Sequence, residues 1–237
     1  MFPALYAIID ASPADSLKSI LSFGEKLAGG GVRLMQLRAK RATARQLFDM
    51  SQALVGLIGG SRTLRDLKVM VNDRPDIAAI TGAAGVHVGQ EDLPVEEARK
   101  VCASPLWVGV STHNLEQVRA ADHTSADYVA LGPIFGTVTK ENPDPVVGLD
   151  FLRAARKLTR KPLVAIGGIT VQSSGDVYRA GADSVAVISD LRDAADPARR
   201  ASEYLQIARD ATAVRGWYGT QSTGRAHGTS ARNRRTE

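Results

Sequence analysis

The sequence predicts a single (β/α)8 barrel, and three observations carry that expectation. Eight short apolar runs rich in strand-forming residues recur along the 237 residues. Each is followed by a stretch with helical periodicity, which implies βαβ units and a parallel sheet. Eight such units in one chain point to closure into a barrel. The structural alternative, a doubly wound open sheet, often carries a GxGxxG turn after its first strand. Here the first strand runs into Asp10-Ala11-Ser12-Pro13 instead.

The elements are expected in this order. The first strand is ALYAII (4–9), followed by a helix over 14–28. The opening MFPALYAIID is too short and uncharged for a signal peptide and reads as that strand. RLMQL (33–37) leads to a helix over 43–58, and LKVMV (67–71) to one over 74–80. GVHV (85–88) precedes a helix over 94–102, and LWVGV (106–110) one over 114–122, where Asn114 is a natural N-cap. DYVAL (127–131) is followed by a long connection and a helix over 149–159. PLVAI (162–166) pairs with a helix over 171–180, and SVAVI (184–188) with one over 196–210. The barrel domain is therefore expected over 1–211. Residues 212–237, rich in Gly, Ser, Thr and Arg with little to bury, read as a disordered basic tail.

Composition narrows the function classes. The net charge is +5, but the tail alone holds five arginines against one glutamate, so the barrel is nearly neutral. That weakens any case for a nucleic-acid-binding fold. No apolar run reaches the roughly 18 residues of a membrane helix. The single cysteine, Cys102, rules out an internal disulfide framework and fits a reducing cytoplasm.

In such barrels the active site lies at the C-terminal ends of the strands. After the second run, alternation sets Gln36, Arg38 and Lys40 on one side and Leu37 and Ala39 on the other. An amide and two cations projecting together suit a polyanion. After the third comes Asn72-Asp73-Arg74-Pro75, and after the fourth Gly89-Gln90-Glu91-Asp92-Leu93-Pro94. Either aspartate alone reads as a helix cap. Together, at equivalent ends of neighbouring strands about 4.8 Å apart, they can share one ion. Mg²⁺ on one or two carboxylates plus substrate phosphate oxygens is the usual arrangement.

Ser111 follows the fifth run and can donate a hydrogen bond into the site. His113 nearby lacks an apparent acidic partner, and His87 reads as a satisfied barrel residue. The connection after the sixth run carries Thr137, Val138, Thr139 and Lys140. It is long for a βα loop, as binding loops often are. Gly167-Gly168 after the seventh run and Ile188-Ser189 after the eighth stand where barrels commonly bind phosphate. Two phosphorylated groups in one mouth imply a transfer between two small-molecule substrates.

The runs QLRAK (36–40), ND (72–73), GVHVGQEDLP (85–94), GVSTHN (109–114), DYVALGPIFGTVTK (127–140), AIGGI (165–169) and GADSVAVIS (181–189) resemble the thiamine phosphate synthase family, in that family's order. The likeness spans roughly residues 4–210, and GVHVGQEDLP and GPIFxTxTK are its most specific pieces. The resemblance implies one Mg²⁺ per subunit, held by Asp73 and Asp92. It implies that Gln36, Arg38, Lys40, Asn72, Ser111 and Lys140 bind a pyrimidine diphosphate, with Leu37 and Ala39 between them in the same segment. It places Thr137, Thr139, Gly168, Ile188 and Ser189 on a thiazole phosphate, with Val138 in that loop. Arg38, Ser111 and Lys140 would then assist diphosphate departure before the thiazole nitrogen attacks. No protein nucleophile is required. A homo-oligomer is left open; no nucleic-acid or membrane partner is expected.

Gly136, the stretch Glu141–Val147, the segment TVQSSGD after Ile169 and the basic tail depart from the family pattern. The rival readings are a thiazole tautomerase of the same superfamily, a sugar-phosphate isomerase and a non-catalytic regulator binding thiamine precursors. The first tends to lose the diphosphate set, which is intact here. The second leaves the GQED carboxylate without a role. The third does not need the metal and diphosphate residues.

Overall fold

A computed structural model describes residues 2–59, 64–102, 105–137 and 145–222; the side chains of 58, 59 and 214–222 are outside the description. The strands are β1 (Leu5–Asp10), β2 (Leu34–Arg38), β3 (Lys68–Asn72), β4 (Gly85–Val88), β5 (Trp107–Thr112), β6 (Tyr128–Leu131), β7 (Leu163–Ile166) and β8 (Ser184–Val187). They form one closed barrel in sequence order, every pair parallel, with β1 also paired to β8. This is the (β/α)8 fold that the eight strand-and-helix units imply.

Between the strands run α1 (Leu17–Gly29), α2 (Ala44–Gly59), α3 (Pro75–Thr81), α4 (Val95–Cys102), α5 (Leu115–Asp122), α6 (Gly148–Arg156) and α7 (Val171–Ala180). A four-residue α8 (Ser189–Arg192) and a long α9 (Pro197–Ser222) complete the chain. The sequence did not announce α8, because four residues are too few to show a period. The boundary expected at 212 falls inside α9, whose backbone stays helical to Ser222. Residues 223–237 of the anticipated tail lie outside the described residues.

Strand alternation sorts the core into two shells. One parity of each strand, including Ala7, Leu37, Val71, Val108 and Val185, meets the helices' apolar faces at Leu27, Leu54, Ile77, Leu152 and Val177. The other parity fills the barrel interior with Tyr6, Ile8, Leu34, Met70, Tyr128, Ala130, Val164 and Ala186. Local signals fix the helix starts. Ser16 accepts from the Ser19 N–H at α1, and Asn114 accepts from Gln117 N–H at 2.8 Å at α5, as its sequence position predicts. Below the interior, Phe2 stacks on Trp107, and the Lys68 ammonium sits 4.6 Å from the Trp107 ring centre. The sequence-facing mouth at the other end is where polar residues gather.

Candidate active site

At the ends of β1 and β2, inward alternation brings Asp10 beside Arg38, and the two form an ion pair with both side chains about one-fifth exposed. Sequence reasoning missed Asp10, although it shares parity with Tyr6 and Ile8. Gln36, one step deeper, is buried and donates from Nε2 to Tyr6 Oη at 2.8 Å. The Leu37 and Ala39 side chains are buried in the outer shell, so any ligand contact of theirs runs through backbone. Lys40 lies at the rim, its Nζ 3.5 Å from Asp73 Oδ2.

Asn72 closes β3, and Asp73 follows in a left-handed conformation with φ of 62°. Few non-glycine residues adopt it, aspartate more readily than most. The Asp73 N–H donates to the His87 carbonyl at 2.8 Å, continuing the strand pairing. The cap reading of this aspartate does not hold: the N-cap of α3 is Arg74, which makes no side-chain cap, and Pro75 opens the helix. Asp92 likewise turns back, accepting the Gly89 N–H at 2.7 Å. The two carboxyls meet. Burial first, then hydrogen bonding and repulsion from Asp92, push the Asp73 carboxyl up to about 6, with Lys40 pulling the other way. Two oxygen-bearing side chains held together against their own repulsion suit a hard divalent cation, which takes its remaining ligands from water and phosphate. Among the described residues no cluster of three or more His, Cys, Asp or Glu could hold a metal, so this pair is the carboxylate site that the described mouth offers.

Ser111, near the end of β5, is half-buried. Its Oγ lies 2.8 Å from His87 Nε2, and its carbonyl accepts from Gln90 Nε2 at 2.6 Å. His87 is enclosed, and burial pulls its ring down to about 4, partly opposed by the Asp92 charge. Both of its ring nitrogens have hydrogen-bond partners, in keeping with its reading as a satisfied barrel histidine. His113 places Nδ1 2.8 Å from the Gly132 carbonyl, an arrangement that braces β5 against β6.

The opposite side of the mouth is built from backbone. Gly167 and Gly168 have φ of 99° and 61°. A Cβ on Gly168 would lie 2.3 Å from the Gly136 carbonyl oxygen, so the loop after β6 rests directly on this turn. Ile134 and Phe135 donate to the carbonyls of Ile166 and Gly167, locking the two loops together up to the half-buried Thr137. Val138, Thr139 and Lys140 lie outside the described residues. After β8, Ile188 precedes α8, and Ser189 opens it. The Leu191 and Arg192 N–H groups fold back on the Ile188 carbonyl. A short extra helix after β8 is the element that barrels use beside a phosphate. Asp190, also missed from sequence, ties this corner down: it pairs with Arg200 at 2.7 Å and accepts the Tyr204 hydroxyl at 2.7 Å.

The mouth thus sets a cationic and carboxylate half (β1 to β5) against a half of bare glycine backbone and a helix start (β6 to β8). Known proteins match this chain over nearly all of the barrel. The family model described as thiamine monophosphate synthase matches residues 5–191. A thiamine-phosphate synthase from Koribacter versatilis is 52% identical over 208 residues, 86% of this chain and 95% of that protein. One from Methanospirillum hungatei is 40% identical over 185 residues, 78% of this chain and 87% of that one. Among solved structures, thiamine phosphate pyrophosphorylase from Pyrococcus furiosus superposes with a TM-score of 0.75 at 30% identity, covering 88% of this chain and 96% of that one. A 3-hexulose-6-phosphate synthase shares the fold alone, with a TM-score of 0.65 at 21% identity over 86% of this chain and 99% of that one. With the matched model spanning seven strand–helix units and the eighth strand, the chain belongs to the thiamine monophosphate synthase family.

Proposed function

We propose that this chain is a transferase that joins 4-amino-2-methyl-5-(diphosphooxymethyl)pyrimidine to 4-methyl-5-(2-phosphoethyl)thiazole, or its carboxylated form, giving thiamine phosphate and diphosphate. The observation that carries this reading is the facing pair of Asp73 and Asp92 beside Arg38 and Lys40, opposite the glycine-lined corner of β7 and β8. One half suits a diphosphate with a divalent ion; the other suits a monophosphate. A tautomerase acting on the thiazole alone would have no use for the first half.

Asp73 and Asp92 would hold Mg²⁺, which when bound neutralises charge on the diphosphate. Arg38 offers a planar fork to phosphate oxygens, and Lys40 a mobile point charge. Lys140 is assigned to the same leaving group by family resemblance. Ser111 donates a hydrogen bond near the reacting end. Gly168, Ser189 and the Ile188 backbone receive the thiazole phosphate, with Thr137 and Thr139 on its flank, and so aim the ring nitrogen at the methylene carbon. Catalysis of this kind is positioning plus stabilisation of departing charge, and it needs no protein nucleophile.

Supplying both precursors with Mg²⁺ tests this assignment. Thiamine phosphate and diphosphate should appear together. Metal-independent turnover of the thiazole alone would instead mark a tautomerase, and ligand binding without any product a regulator.

A further inference from the structure

Five polar side chains cross the barrel interior in an unbroken line. Gln36 Nε2 donates to Tyr6 Oη at 2.8 Å; Tyr6 Oη and Tyr128 Oη are 2.9 Å apart. Tyr128 Oη lies 2.9 Å from His87 Nδ1, and His87 Nε2 lies 2.8 Å from Ser111 Oγ. Gln36, Tyr6, Tyr128 and His87 are all buried, and only Ser111, the last member, is half-exposed at the mouth. The backbone makes room for this line: a Cβ on Gly109 would lie 1.9 Å from Tyr128 Cζ. Tyr128 also stacks on His87 and meets Tyr6 edge-on, which fixes all three rings.

The protons can be counted. Each tyrosine hydroxyl has one proton, and a neutral imidazole has one N–H. With Gln36 donating to Tyr6, the Tyr6 proton has Tyr128 Oη to go to. The Tyr128 proton then goes to His87 Nδ1. The His87 proton must therefore sit on Nε2 and point at Ser111 Oγ, leaving the Ser111 proton for the mouth. The reverse direction would require Gln36 to turn its amide and offer Oε1 to Tyr6, in place of the Nε2 donation that the structure shows.

We propose that Gln36, Tyr6, Tyr128 and His87 form a polarised hydrogen-bond relay that holds Ser111 as a donor to the bound substrate. Tyr6, Tyr128 and His87 are positioning residues; Ser111 makes the contact. The inference rests on the reading of Ser111 as a substrate-binding residue.

Nitrogen-15 NMR of histidine-labelled protein tests the relay without substrate. His87, identified by its loss in His87→Gln, should show a protonated Nε2 and a pyridine-type Nδ1 across neutral pH. A protonated Nδ1, or a charged ring at pH 7, overturns the proposal. The kinetic arm compares three variants. Ser111→Ala should lose roughly 10- to 100-fold in kcat/KM, as loss of a hydrogen bond to a charged group does. Tyr128→Phe should approach that loss and let the two His87 tautomers mix, because nothing then donates to Nδ1. Tyr6→Phe should lose less and keep the Nε2 tautomer, because Tyr128 still donates to Nδ1. Full activity in Ser111→Ala would sink the substrate contact alone. A normal tautomer and rate in folded Tyr128→Phe, with Ser111→Ala impaired, would sink the relay alone.

Discussion

The Asp73 carboxyl meets that of Asp92 across the ends of β3 and β4, and burial, with hydrogen bonding to and repulsion from Asp92, pushes it up to about 6. The sign of the effect on stability follows. A carboxyl whose folded-state value lies above its ordinary 3.8 favours the folded state most when protonated. That contribution is full below about pH 4 and is lost as pH rises through 6. Metal-free protein should therefore lose stability between pH 4 and 7, by about 1 kcal/mol from this pair, allowing for solvent screening. Asp92→Asn should flatten that slope and raise the metal-free melting temperature at pH 7. Added Mg²⁺ should raise the melting temperature of the wild type and not of the variant. Thermal denaturation over pH, with and without Mg²⁺, reads all three.

Arg38 and Asp10 form the second pair at the mouth. Arg38→Ala should reduce kcat/KM by about 100-fold or more, the scale of losing one donor to a developing oxyanion. Arg38→Lys should recover little, because an ammonium cannot reproduce the fork. Asp10→Asn should cost about tenfold by releasing the guanidinium from its orientation. Lys140→Ala should fall with Arg38→Ala. Steady-state kinetics with circular dichroism as a folding check measures these.

Gly168→Ala places a Cβ 2.3 Å from the Gly136 carbonyl oxygen at φ of 61°. The β6 loop must move or the turn must strain, at about 1–3 kcal/mol. The expected signature is a raised KM for the thiazole phosphate with a smaller change for the pyrimidine diphosphate. Equal changes in both would remove Gly168 from the thiazole side.

Among the described side chains of α9, the last buried one is Ala211. Truncation before Thr212 therefore keeps the packed seam of α9 and should leave activity unchanged in a direct assay. A large loss would mean that the residues beyond it contribute to the barrel or the site.

How much of this was legible in the sequence depended on which interaction decides each feature. The eight strands were, to within a residue or two at each end, because alternation and apolar content are local. The short α8 and the continuation of α9 to Ser222 were not, since neither carries a distinctive period. Asp73 and Asp92 were visible as candidates, yet Asp before Pro reads equally well as a helix cap. Only the left-handed backbone at Asp73 and the turn of Asp92 onto Gly89 separate the two readings. Asp10 and Asp190 escaped notice because their roles come from partners, Arg38 and Arg200, that closure and helix docking bring together. The same holds for Tyr6, Tyr128 and His87, which belong to three strands and meet only inside the closed barrel.

The most direct test of the carboxylate-centred account is a Mg²⁺ titration of product formation by wild type and Asp92→Ala, supplied with both precursors. The account predicts thiamine phosphate and diphosphate in equal amounts, saturable with Mg²⁺ in the wild type, and near-complete loss of turnover in a folded variant. Wild-type turnover by Asp92→Ala, or metal-independent product from the wild type, would contradict it.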